Sequence, residues 1–223
     1  DLGFENVPMV ELDQASTEGY HGDLGSLGTH FRKLAWRGIV LLDLLEKIAR
    51  QTRPYERDKG TADALYQHFL ARTDDAIARG QDLVPLAREI VAAYAAVPVE
   101  RRAPRPRIGL IGEIYVRCNP YCNNQIVRKL EALGAEVFLP PLEEWVDYIG
   151  HERRVDSWRA RNLKSYLIET LTGFVQDREV RRITRPFAST LREFVYEAPT
   201  KDIVKLAEPY LDFAIRGEAV LSM

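Results

Sequence analysis

The sequence predicts an α/β protein with more helix than strand, and three observations carry that expectation. Apolar residues recur at spacings of three and four over 29–52, 61–78 and 82–97, the period of amphipathic helices. A stretch rich in proline and arginine, 98–106, separates these helices from the rest of the chain. Beyond it, two apolar runs, 107–116 and 135–139, bracket a short helical pattern. Strand, helix and strand at that spacing imply a parallel pair joined by a crossover.

Taken in order, residues 7–13 alternate like a strand, and 14–28 are rich in Gly, Ser and Asp, a loop composition. The first helix, 29–52, places Phe31, Ala35, Leu41, Leu42, Leu45 and Ile48 at helical spacing. Its middle is apolar nearly all round, so it is expected to be buried on several sides. Arg53-Pro54 ends it, because a residue before proline disfavours the α region. The second helix, 61–78, takes Thr61 as its N-cap after Gly60. The third starts from an Asp82 cap and carries Leu83, Leu86, Ile90, Val91, Tyr94 and Val97.

Residues 98–106 hold three prolines and three arginines and read as an extended linker. They divide a subdomain at 1–97 from one at 107–223. The run 107–116 reads as a strand buried on both faces. Asn123 or Asn124 caps a helix with Ile126, Val127, Leu130 and Leu133, Gly134 stops it, and a second strand comes next at 135–139. This unit is expected to be a Rossmann-like parallel βαβ half-unit with flanking helices. The remainder reads as helix: a short stripe with Leu142, Trp145, Val146 and Ile149, a long helix over 155–176, a further helix that Pro186 either breaks or starts, and a helix capped by Thr200.

The chain of 223 residues is 46% hydrophobic and 29% charged, the mixture of a globular protein. A net charge of -2 gives no global attraction to nucleic acid or anionic membrane. The longest apolar run, 38–45, is interrupted by Asp43 and is far short of the ~20 residues of a membrane helix. With two cysteines and no signal-peptide pattern, the expected compartment is the cytoplasm. Both ends read as cut, so the chain is expected to be a segment of a larger protein.

The polar run 112–124 comes directly after the first strand, where open α/β sheets bind ligands. Arg117 supplies a guanidinium for phosphate or carboxylate. Asn119, Tyr121, Asn123 and Asn124 complete the candidate crevice, with the next helix offering free N–H groups to an anion such as a CoA phosphate. A purely structural turn accounts for the same residues, since Asn and Pro are turn formers. Glu143 and Glu144 come after the second strand; they either line the crevice or complement a helix dipole. A further alternative pairs Arg117 with one of them and closes the site. Cys118 and Cys122, four apart, are candidate metal ligands, although a full site takes three or four.

The stretch RIGLIGEIYVRCNPYCNNQIVRKLEALGAEVFLPPLEEWVDY (107–148) resembles the long bacterial activator proteins related to 2-hydroxyglutaryl-CoA dehydratase and benzoyl-CoA reductase. So do LLDLLEKIARQTRPYE (41–56) and GEAVLSM (217–223). The resemblance implies a two-part parent: an ATPase of the sugar-kinase fold and a dehydratase-like part, to which this segment is similar. It also implies a [4Fe-4S] cluster in the parent, with ATP hydrolysis driving a low-potential electron onto a CoA-thioester dehydratase or reductase. The cluster cysteines of the dehydratases do not map onto this chain residue by residue. Three roles are therefore open: scaffold and part of a ligand crevice in such a system, a docking module for the ATPase part, or a small-molecule-binding regulatory domain.

The chain has no phosphate-cradling loop with Mg²⁺ ligands. Purified protein is expected to show no steady ATP hydrolysis in a coupled assay. Turnover abolished by a substitution within this chain would contradict that.

Overall fold

The computed structural model describes residues 28–100, 105–188 and 200–222. The expected strand at 7–13, the loop at 14–27 and the middle of the linker, 101–104, lie outside the described residues. No helix among the described residues is long and apolar enough to cross a membrane.

Three helices come first among the described residues: α1 (Gly28–Thr52), α2 (Thr61–Ala78) and α3 (Leu83–Ala95). The apolar girth of α1 is used as expected. Val40, Leu41, Leu44, Leu45, Ile48 and Ala49 are all buried, whereas Phe31, near its start, is exposed. Asp82 caps α3, its carboxylate accepting from the Val84 N–H at 3.3 Å. The cap of α2 is not Thr61. Gly60 stands at that position in a left-handed conformation, φ 95°, and has no side chain to offer. The buried Glu56 carboxylate caps α2 from outside the helix, accepting from Gly60 N–H at 2.9 Å and Ala62 N–H at 2.7 Å. These are orphan donors of the first turn, and a carboxylate also meets the positive end of the helix dipole.

The ends of the proline-rich stretch are tied down. Glu56 and Val99 form an antiparallel bridge, flanked by Arg57 N–H to the Pro98 carbonyl at 2.9 Å and Glu100 N–H to the Tyr55 carbonyl at 2.8 Å. At the other end the Arg105 guanidinium stacks over the Tyr55 ring and donates to the Gly134 carbonyl at 3.2 Å.

Helix dominates the rest, around a small parallel sheet of two strands, β1 (Arg107–Gly109) and β2 (Glu136–Phe138), in register Ile108 to Val137. The expected strand 107–116 is thus corrected. It stops at Gly109, and Arg107 and Gly109 are exposed rather than buried on both faces. Gly112 turns the chain at φ 127°. Glu113 then caps a short helix, α4 (Ile114–Cys118), accepting from the N–H groups of Tyr115 and Val116. Helix α5 (Ile126–Ala132) precedes β2 and is stopped by Gly134 at φ 95°.

Two long helices come next, α6 (Leu142–Arg159) and α7 (Leu163–Thr184). The single helix expected at 155–176 is broken at 160–162, where Arg161 is left-handed at φ 55° and the Asn162 side chain caps α7 through Ser165 N–H. Pro186 falls in the 3₁₀ turn that ends α7, so of the two expectations it is the break that forms. Thr200 opens α8 (Thr200–Ala207), its hydroxyl donating to Asp147 of α6. α9 (Glu218–Ser222) is the last helix described, with Val220 packed among Tyr148, Val204 and Ala207.

The main core runs through α1, α2 and α3 and takes in Ile183 and Phe187 from the end of α7. Arg37 pairs with Glu179 at 2.7 Å, and the Trp36 indole donates to the Gln176 carbonyl, fixing α1 along α7. A second tie joins the helices to the α/β unit. Arg53, just past α1, donates to both oxygens of Glu131 on α5, at 2.7 and 3.0 Å, and to Asp63 on α2 at 2.8 Å. Arg128 of α5 closes the cycle with two bonds to Asp63. Burial works against the Arg53 charge, but Glu131 and then Asp63 more than offset it and raise its pKa.

Arg53→Ala leaves Glu131, whose side chain is 7% exposed, without its principal counter-charge. Breaking a buried pair on one side costs about 3–5 kcal/mol, and urea denaturation is expected to show a loss of that order. A midpoint equal to the parent's would show that the network carries no stability.

Candidate functional site

The polar run after β1 is first spent on its own folding. The Asn119 side-chain oxygen accepts from the N–H groups of Tyr121, at 2.9 Å, and Cys122, at 3.3 Å. Asn123 donates to the Arg117 carbonyl at 2.8 Å and accepts from Ile126 N–H at 3.3 Å. Asn124 and Gln125 sit at φ 54° and 58°; Gln125 holds the cap position of α5 without a side-chain bond, and the Asn123 side chain supplies the capping oxygen to Ile126 N–H from outside the helix. This is the structural-turn alternative realised for Asn119. Tyr121 stands in solvent, and Asn124 is exposed.

The turn has a second effect: it sends the Arg117 side chain inward from α4. Arg117 is 5% exposed, and its Nε is buried with no hydrogen-bond partner. Its guanidinium lies beside the Cys118 thiol. No carboxylate pairs with it among the described residues. The alternative in which Glu143 or Glu144 closes the site on Arg117 is therefore not what forms. Both acids lie in the first turn of α6, and the Glu143 N–H is held by the Asp43 carboxylate of α1 at 3.0 Å.

Arg117 opens onto a cavity of about 190 Å³. One wall is the end of α1 with Glu46, Ala49, Arg50 and Arg53; Tyr66 and Gln67 of α2 form the next. The third comes from the α4–α5 segment: Arg117, Cys118, Pro120, Asn123, Gln125, Val127 and Arg128, with Leu139 beneath. Of the residues singled out from sequence, Arg117, Cys118 and Asn123 meet there. Asn119, Tyr121, Cys122, Asn124, Glu143 and Glu144 do not line it. Sequence reasoning missed the opposite wall. Its one signal was Arg50 and Arg53, three apart where the helix ends.

Three of the four arginines are already matched. Arg50 pairs with Glu46 at 2.6 Å, Arg53 with Asp63 and Glu131, and Arg128 with Asp63 at 2.6 Å. Arg117 is the remaining cation among the described residues that line the cavity. The Tyr66 hydroxyl donates to Glu46 at 3.3 Å, and burial together with that carboxylate pushes its pKa up to about 12, so it stays protonated. Although Cys118 is exposed, the protein packed around its thiol partly desolvates it and pushes its pKa up, with Arg117 opposing, so it stands as a thiol at neutral pH. Among the described residues, no histidine lines the cavity to act as a base toward it. What the arrangement offers is binding of an anion.

Cys118 and Cys122 are free and exposed thiols. No group of three or more His, Cys, Asp or Glu among the described residues could hold a metal ion. A [4Fe-4S] cluster takes four thiolates as a rule, so the donors described in this segment do not fit one.

No protein-family model, curated protein or solved structure matches the chain.

Proposed function

We propose that this chain is a small-molecule-binding module that holds an anionic group of its ligand on Arg117. One observation carries the reading: a guanidinium 5% exposed, with an unpartnered Nε and no carboxylate, facing a cavity. An unpaired buried charge is expensive, and an anionic ligand supplies the missing partner. The Rossmann-like reading of the βαβ unit supports the location, since ligands of parallel sheets gather beyond the strands' carboxyl ends.

The wider setting rests on the resemblance of 107–148 and 41–56. In a cytoplasmic parent of that kind, the segment supplies scaffold and part of a ligand crevice for ATP-driven electron transfer to a CoA-thioester dehydratase or reductase. The parent's [4Fe-4S] cluster would then be held outside the residues described.

A second reading, a docking module for the ATPase part of such a parent, is favoured by one surface. Leu163, Leu167, Ile168, Leu171 and Phe174 of α7 are all more than half exposed, and contiguous exposed apolar patches mark interaction sites.

Calorimetry with CoA, acetate and inorganic phosphate tests the first reading. At least one is expected to bind, and Arg117→Ala to weaken it about tenfold to a hundredfold, the worth of a charged hydrogen bond. No binding by the parent, or equal binding by the variant, would overturn it. For the second reading, sedimentation of the chain with the ATPase part should show a complex that Leu167→Glu and Phe174→Glu abolish. Absence of any complex, or one indifferent to both changes, counts against docking through α7.

A further inference from the structure

Resting on the reading that Arg117 holds an anion, we infer that the anion is the carboxylate of a small monocarboxylic acid with an apolar body, and that Glu46 discriminates against dianions.

The charges at the cavity point to a monoanion. Four guanidinium groups, of Arg50, Arg53, Arg117 and Arg128, meet three carboxylates, of Glu46, Asp63 and Glu131. Among the described residues that line the cavity, Arg117 is the guanidinium with no carboxylate within salt-bridge distance. A single negative charge completes the set. A second one would face Glu46, which lines the same cavity and is held in place by Arg50 and the Tyr66 hydroxyl. Like charges in a partly enclosed site repel more strongly than in water.

Shape points the same way. A guanidinium offers parallel N–H donors in a planar fork, which a planar carboxylate meets bidentately. Ala49, Val127 and Leu139 add apolar surface to the otherwise mostly polar lining of the cavity. A volume of about 190 Å³ compares with the roughly 150 Å³ that accommodates benzene. The ligand, or the part of it that enters, therefore has roughly six to nine heavy atoms. A carboxylate on a short aliphatic or aromatic body meets all three conditions, whereas a phosphate monoester fails the charge condition.

Three probes separate the terms: hexanoate, hexyl phosphate and acetate. Titrations of the full chain near pH 8 keep the phosphomonoester dianionic, its second pKa being about 6. Hexanoate is expected to bind at least tenfold more tightly than either of the others. Arg117→Lys keeps the charge but loses the fork, and is expected to weaken hexanoate severalfold while its circular dichroism matches the parent. Glu46→Gln is expected to narrow the gap between hexyl phosphate and hexanoate. Hexyl phosphate binding as tightly as hexanoate in the parent would overturn the inference but leave anion binding on Arg117 intact. Acetate equal to hexanoate would overturn the apolar body. Binding of none of the three would remove this inference and the anion reading together.

Discussion

Arg53 stands where three parts of the chain converge, and its charge is the constraint they share. It ends α1, bonds Asp63 at the start of α2, and bonds Glu131 on α5, 78 residues away. Because a guanidinium presents its donors in fixed directions, it fixes orientation as well as proximity. Tyr55, two residues on, extends the tie by donating to the buried Glu136 carboxylate of β2 at 2.8 Å. The turn after α1 is thus the mechanical joint between helices and sheet, and the wall of the cavity is built against it.

The same satisfaction of charge explains why Arg117 is distinctive. Arginine is common in this chain, and most described examples at the cavity have a carboxylate within ordinary salt-bridge distance. Three of the four use their forks on structure. The fourth is set apart by its local chain: Glu113 starts α4, Asn119 ends it, and Asn123 holds the Arg117 carbonyl. Backbone and side chain of Arg117 are therefore governed by different partners, with the turn anchoring the former and the cavity receiving the latter.

Sequence made the helical part legible because its signals are local. The spacing of Leu41, Leu45 and Ile48 and the Asp82 cap are both readable from a few residues. The run 107–116 misled because a short apolar stretch has no period that separates strand from helix. Gly112 and Glu113 decided it, the first by its left-handed turn and the second as a cap. The break at Arg161 was hidden for the opposite reason, since no glycine or proline marks it. Arg117 was legible as a candidate through its place after the apolar run. The wall opposite was not, because it rests on contacts such as Arg128 with Asp63, 65 residues apart, which no local pattern encodes.

The pairing of α1 with α7 also sets an order of assembly. Arg37 and Glu179 are 142 residues apart, and Trp36 and Gln176 are 140 apart, so their contact closes a loop that spans most of the chain. Closing long loops costs entropy that shorter contacts do not. Neighbouring helices such as α2 with α3, or α6 with α7, can meet early. On a ribosome, the first three helices emerge with a face meant for Ile183 and Phe187 still uncovered. That face stays open until nearly the whole of α7 has been synthesised, so three helices made well before α7 wait on it to be sealed.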